Sequence, residues 1–167
     1  MSDIFRFDQG IENDTDSGRV DRTRKRLDPV TFEVLSHKIE EIVAEMYHTI
    51  GWVSGNPIVF ESGDHQEGIF DAKGEAVMFG GGIVEWTYAL QAGAQHLTQE
   101  YEDNPGIYDG DQFLLNHAYV AAVHAMDIQL LAPVFWEGKR VAWVVTAGHQ
   151  LDVGGIDWGG FSVRATE

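Results

Sequence analysis

Two apolar runs separated by a short turn constrain the fold of this chain more than any other feature. Residues 128–135 and residues 140–146 are largely apolar, and the segment Trp136-Glu-Gly-Lys139 joins them. A glycine in a short connection between two such runs is typical of a β-hairpin. We therefore predict an antiparallel pair of strands, which returns the chain close to the point where the first strand begins.

Three potential metal ligands flank this hairpin. His124 and Asp127 stand three positions apart at the entry to the first strand, and His149 follows the second strand. Two imidazoles and one carboxylate can hold a divalent first-row metal and leave coordination positions open, as a catalytic metal requires. The chain has no cysteine, so only nitrogen and oxygen donors are available, and these suit Mn, Fe or Zn. We predict a metal site formed by His124, Asp127 and His149.

Other polar side chains could join or support this site. The chain contains seven histidines, so several are expected at ordinary surface positions. Asp152 could serve as a ligand or orient an imidazole, and His65 and His117 could also contribute. For these three residues we predict plain polar roles at the surface, and we predict the same for His37 and His48 on the first helix.

The composition excludes several classes of function. Hydrophobic residues make up 44% of the chain, which indicates a globular protein. The formal net charge of −16 disfavours nucleic acids and anionic membranes as partners, because both attract clustered positive charge. The sequence has no apolar run long enough for a membrane helix, and its first residues do not resemble a signal peptide. These features predict a cytoplasmic location.

The rest of the pattern predicts an α+β fold: a mixed or antiparallel, β-rich domain with two main helices, forming part of a larger assembly. Asp28 can cap the first helix, Pro29 suits its first position, and Gly51 is expected to end it. The second helix is predicted over residues 85–101. Short strands are predicted at 58–60, 68–70, 75–79 and 112–115.

The N-terminal residues 1–27 are predicted to form a flexible arm. They lack apolar periodicity, and they change from acidic to basic at Arg22-Thr-Arg-Lys-Arg26. Such an arm could be a solvated tail, or it could lie along an acidic partner subunit. Residues 28–167 are predicted to form the metal-binding domain.

Three consecutive glycines at 80–82 interrupt the β-rich region. They could allow the backbone to approach a ligand closely, or they could form a hinge. The lysine and the serine or threonine of a phosphate-binding loop do not follow them. The sequence also has no G-x-S-x-G motif that would indicate a serine nucleophile.

A series of short motifs resembles one known family. The sequence resembles the N-terminal part of the metal-binding large subunit of the ATP-dependent ketone carboxylases, which act on acetone and acetophenone and belong to the hydantoinase B/oxoprolinase family. The motifs extend over residues 28–167 in the family's order. They are DPVTFEV at 28–34, FDAKG at 70–74, NPG at 104–106, DGD at 109–111, HAMDI at 124–128, PVFWEG at 133–138, GHQLDVGG at 148–155 and ATE at 165–167.

The resemblance implies both a metal site and partner subunits. It assigns metal binding to the same three residues, His124, Asp127 and His149. It implies that a hydantoinase A-like subunit uses ATP to activate the ketone and bicarbonate, and that the enolate and CO2 meet at the metal. It also implies a ketone substrate, with ATP and bicarbonate as co-substrates, and a further chain that completes the fold.

The sequence departs from the family pattern at two points. Asn116-His-Ala-Tyr119 stands where the family commonly has Asn-Asp-Pro-Tyr, so no role of that aspartate carries over. Family subunits are several hundred residues long, which predicts that this chain is a fragment or a split subunit. The alternative functions are ATP-dependent ring opening of a hydantoin, oxoproline or lactam, and a non-catalytic structural subunit.

Overall fold

A five-stranded antiparallel sheet organises the part of the chain that the structure describes, which is residues 27–157 and 162–164 of a computed structural model. The strand order is β2-β1-β5-β4-β3. Two long helices, α1 and α3, accompany the sheet, and the predicted α+β fold is confirmed. The elements are α1 Pro29–Val53, α2 Pro57–Ser62, β1 His65–Asp71, β2 Ala76–Phe79, α3 Glu85–Glu100, a helical turn Glu102–Gly106, β3 Phe113–Leu115, α4 Ala118–Ala121, β4 Asp127–Trp136 and β5 Lys139–His149.

The predicted hairpin forms the centre of the sheet. β4 and β5 pair from Trp136 and Lys139 at the turn to Asp127 and His149 at the open end. Glu137 and Gly138 connect the strands, and both have positive φ angles, as tight hairpin turns require. The pairing places the first residue of β4 directly opposite the last residue of β5.

Helix α1 begins where the sequence predicts. The carboxylate of Asp28 accepts hydrogen bonds from the backbone amide and the hydroxyl of Thr31, and Pro29 occupies the first turn. The hydrogen bond from the Thr31 hydroxyl is the main cause that lowers the pKa of Asp28 below its usual value. The hydrogen bond from the Thr31 amide lowers this pKa further. The helix continues to Val53, slightly beyond the predicted end at Gly51, because glycine here keeps helical geometry.

The main core lies between α3 and one face of the sheet. Alternate residues of a strand point to the same face, so β1, β4 and β5 each contribute side chains to this layer. Burial of each large apolar side chain contributes roughly 1.5–3 kcal/mol. The largest wholly buried apolar residues in the layer are Phe70, Trp86, Leu90, Leu131 and Trp143.

The opposite face of the sheet is only partly covered. α1 contacts β1 and β2 on this side, and the ring of Tyr47 stacks on His65 with centroids 4.3 Å apart. Over β3 and β4 the apolar side chains Leu114, Leu130 and Val134 remain exposed. The described residues therefore leave an apolar strip on the outer face of the sheet.

The predicted strand at 58–60 is wrong, because these residues form helix α2. The side chain of Asn56 accepts a hydrogen bond from the Ile58 amide, Pro57 occupies the first helical turn, and Gly63 ends the helix with a φ of 65°. These start and stop signals outweigh the β propensity of the Ile-Val-Phe run. The predicted strands at 68–70, 75–79 and 112–115 are present with shifted limits.

The predicted N-terminal arm lies outside the described residues except for Leu27. The final motif of the resemblance, at 165–167, also lies outside them. Among the described residues, the helices are either too short or too polar to cross a membrane.

Candidate metal site

The three predicted ligands meet at the open end of the central hairpin. Asp127 is the first residue of β4 and pairs with His149, the last residue of β5. His124 lies in the preceding loop, and the Asp127 amide donates to the His124 carbonyl oxygen. The rings of His124 and His149 are 5.0 Å apart between centroids and nearly perpendicular, at 84°. The hairpin therefore brings together residues that are 25 positions apart in the chain (149 − 124).

Asp127 has two differently engaged carboxylate oxygens. Oδ2 accepts hydrogen bonds from the backbone amides of Val123 and His124. Oδ1 faces the histidines, 3.1 Å from Nδ1 of His149 and 3.6 Å from Nδ1 of His124. The side chain is wholly buried, and a buried carboxylate is stable only when it is paired or hydrogen-bonded. The loop amides fix its orientation through Oδ2, and Oδ1 lies within hydrogen-bond distance of Nδ1 of His149, so a cation bound here would share Oδ1 with that imidazole.

A fourth group, Asp64, joins the site and was not predicted. Its Oδ2 is 4.0 Å from Nδ1 of His149. Asp64, His124 and His149 each present one ligand atom, and these three atoms lie within 4.8 Å of one another. The Asp64 carbonyl oxygen accepts from the His149 amide, so the loop before β1 is bound to the end of β5.

The donor set fits a divalent first-row metal. Metal–donor bonds of about 2.0–2.2 Å place the donors of one ion roughly 3–3.6 Å apart, and the shortest observed separations are 3.1 and 3.6 Å. The donor group that lies within 4.8 Å contains Asp64 but not Asp127, whose Oδ1 instead lies beside each of the two imidazoles. Oxygen and nitrogen donors without thiolate suit Mn, Fe or Zn.

The two imidazoles of the site differ in their exposure to solvent. The His124 side chain is 42% exposed, whereas that of His149 is 8% exposed. A small molecule can therefore reach the site past His124.

The other predicted candidates do not enter the site. Asp152 is exposed, and its carboxylate accepts from the Gly154 amide. His117 is an exposed residue that precedes α4. The predicted surface role of His65 is wrong: this residue is 2% exposed, and its Nδ1 lies 3.0 Å from the Glu67 carboxylate. It is buried because it begins β1 on the face that α1 covers.

His37 and His48 lie at the surface of α1, as predicted. They are therefore suitable control positions for substitutions at the site.

Asn56 holds the end of β5 in place. Its side-chain amide donates to the His149 carbonyl oxygen over 2.6 Å, while its Oδ1 caps helix α2. We expect Asn56→Ala to lower the free energy of unfolding by about 1–2 kcal/mol, because both hydrogen bonds are lost. Chemical denaturation measures this change, with Gln112→Ala at an exposed amide as the control. An effect no larger than that of the control would contradict this role.

The comparisons with known proteins agree on one family. Residues 28–167 match the family model described as hydantoinase B/oxoprolinase. The chain is 26% identical over 133 residues to the acetone carboxylase alpha subunit of Xanthobacter autotrophicus, an alignment that covers 79% of this chain and 17% of that subunit.

Two solved structures share the fold. The nucleotide-free structure of acetone carboxylase superimposes with a TM-score of 0.73 and 27% identity, covering 77% of this chain and 17% of that one. The ATP-dependent caprolactamase of Pseudomonas jessenii superimposes with a TM-score of 0.62 and 25% identity, covering 80% and 23%. This chain therefore spans about a fifth of the length of these relatives.

Proposed function

The chain belongs to the hydantoinase B/oxoprolinase family, and on this basis we propose that it supplies the metal site of an ATP-dependent ketone carboxylase. In this proposal, His124, Asp127, His149 and Asp64 hold a divalent cation where the enolate of an activated ketone meets CO2 derived from bicarbonate. The observation that carries the proposal is the convergence of the Asp127 Oδ1 atom and the two Nδ1 atoms at one end of the hairpin. The likeness to acetone carboxylase supports ketone carboxylation as the reaction class.

A bound divalent cation would supply positive charge that stabilises the negative charge developing on an enolate oxygen. The chain's own residues provide the surroundings for this chemistry. Asp127 stays oriented through the amides of its loop, and His149 is fixed by the backbone contact with Asp64. The substrate approaches past the exposed edge of His124.

The proposal requires partner subunits. ATP would be used by a hydantoinase A-like subunit that binds this domain. Two features support an assembly: the acetone carboxylase relative is named an alpha subunit, and apolar side chains on β3 and β4 remain exposed. Contiguous exposed apolar surface commonly marks an interaction site.

The test of this function is the substrate dependence of ATP turnover in the complex with its partners. We expect ATP hydrolysis to require both a ketone and bicarbonate, with a β-keto acid as product. Acetone and acetophenone are the first ketones to test. ATP turnover that requires a cyclic amide and is unaffected by bicarbonate would contradict the carboxylase proposal.

Ring opening is the second candidate, because the caprolactamase structure shares this fold at 25% identity. In that reaction the same ligands would hold a cation beside an activated amide carbonyl. Hydantoin, 5-oxoproline and caprolactam therefore belong in the same assay as the ketones.

A further inference from the structure

We propose that Trp86 is a positioning residue that holds the Asp64 carboxylate by one oxygen, so that the other oxygen is directed at the metal. This inference rests on the proposed metal site. Trp86 lies in the first turn of α3, and its indole Nε1 donates a hydrogen bond to Oδ1 of Asp64 over 2.9 Å. The other oxygen, Oδ2, is the one that lies 4.0 Å from Nδ1 of His149.

The backbone around Asp64 is already fixed, but its side chain is not. The Asp64 amide donates to the Ile58 carbonyl oxygen, and the Asp64 carbonyl oxygen accepts from His149. These contacts leave the carboxylate free to rotate about its own two torsion angles. Among the described residues, Trp86 provides the side-chain hydrogen bond to this carboxylate. The indole therefore selects one rotational state.

Trp86 is suited to this role by its chemistry and its packing. An indole N–H donates but cannot accept, so Trp86 cannot compete with Asp64 as a ligand. Its ring is 1% exposed and packs in the core with Phe70 and Leu90. A donor held by a packed core keeps the carboxylate oriented before the cation binds, and such outer contacts commonly change metal affinity by 10–100-fold.

Gly82 allows this approach. A Cβ atom at this position would lie only 2.0 Å from the His65 carbonyl oxygen. The segment that leads into α3 can therefore pass directly against the start of β1. This close packing places the first turn of α3, and with it the indole of Trp86, next to Asp64.

The experiment compares two buried tryptophans in the full 167-residue chain. Trp86→Phe removes the indole donor but retains an aromatic ring in the core. Trp143→Phe is the matched control. Trp143 lies on β5, six positions before His149, and is also buried. Its Nε1 donates to the Thr98 hydroxyl on α3, away from Asp64. Binding of Zn²⁺ is measured by competition with a chromophoric chelator, since Zn²⁺ binds such donor sets more tightly than Mn²⁺ or Fe²⁺.

We expect Trp86→Phe to raise the Kd for Zn²⁺ by about tenfold or more, and Trp143→Phe to leave it unchanged. Equal affinities for Trp86→Phe and the wild type, with binding abolished in His124→Ala, would overturn the positioning role and leave the metal site standing. Absence of Zn²⁺ binding by the wild type would overturn both the site and the role of Trp86.

A measurement on the wild-type chain covers the case in which Trp86→Phe does not fold. The indole N–H resonances of both tryptophans can be followed by NMR as Zn²⁺ is added. We expect the Trp86 resonance to shift in proportion to the bound fraction and the Trp143 resonance to stay in place. Zn²⁺ binding without a shift of the Trp86 resonance would overturn the proposal.

Discussion

Replacing His149 with alanine is expected to remove the metal and almost all ATP-dependent turnover of the complex. His149 contributes a ring nitrogen that lies 3.1 Å from Oδ1 of Asp127. Its loss leaves a buried carboxylate without its imidazole partner and leaves the site one donor short. Because outer-shell partners alone commonly account for 10–100-fold in affinity or activity, we expect this ligand to account for more than about 100-fold.

The matched control for this substitution is His37→Ala. His37 is exposed on α1, with 72% of its side chain accessible, and it lies outside the proposed metal site. Steady-state ATP hydrolysis and metal content are measured for both variants. Full activity of His149→Ala in the assembled complex would support the alternative of a structural subunit with a vestigial site.

The second large effect is expected from Gly82→Ala. The added methyl group would lie 2.0 Å from the backbone oxygen of His65 and 2.6 Å from Oε1 of Gln66. The carbonyl oxygen belongs to a paired strand and cannot move aside easily. Because overpacking of an ordered interior commonly destabilises by 1–3 kcal/mol, we expect a loss of about 3 kcal/mol in the free energy of unfolding.

Gly81→Ala is the neighbouring control. A Cβ at Gly81 meets its nearest atom, on Tyr47, at 4.0 Å, which is an ordinary contact. Chemical denaturation should therefore show little change for Gly81→Ala and a large loss for Gly82→Ala. Equal stabilities for the two variants would contradict the close approach of this segment to β1.

The centre of the fold could be predicted because its information is local. Two apolar runs and a glycine-containing turn specify a hairpin, and an antiparallel hairpin necessarily brings its two ends together. That geometry places His149 opposite Asp127, and the role of these two residues and His124 as metal ligands stays a prediction that the family resemblance also makes. Asp28 and Pro29 likewise mark the start of α1 through contacts within a single turn.

The errors arose where non-local pairing or competing local signals decide the structure. The Ile-Val-Phe run at 58–60 has β propensity, but the cap at Asn56 and the left-handed Gly63 favour a helix. His65 is polar, yet it is buried because β1 pairs with β5 and α1 covers that face. No pattern in the sequence around His65 indicates that β1 pairs with β5 or that α1 covers this histidine.

Asp64 was missed for the same physical reason. It stands between a helix and a strand, where an aspartate is usually an ordinary turn residue. Its place in the site depends on the register that sets His65 opposite Gly148. The sequence predicts the strands, but their register depends on the packing of both faces of the sheet. The same limit applies to the indole contact from α3, which joins residues 22 positions apart.

Metal content tests the central claim most directly. The chain is purified with its native partners, and its metals are measured by mass spectrometry in the wild type, in His124→Ala and in the exposed control His48→Ala. We expect about one equivalent of Mn, Fe or Zn per chain in the wild type and in His48→Ala, and almost none in His124→Ala. A wild-type complex without bound metal, or a His124→Ala variant that retains it, would contradict the proposed site.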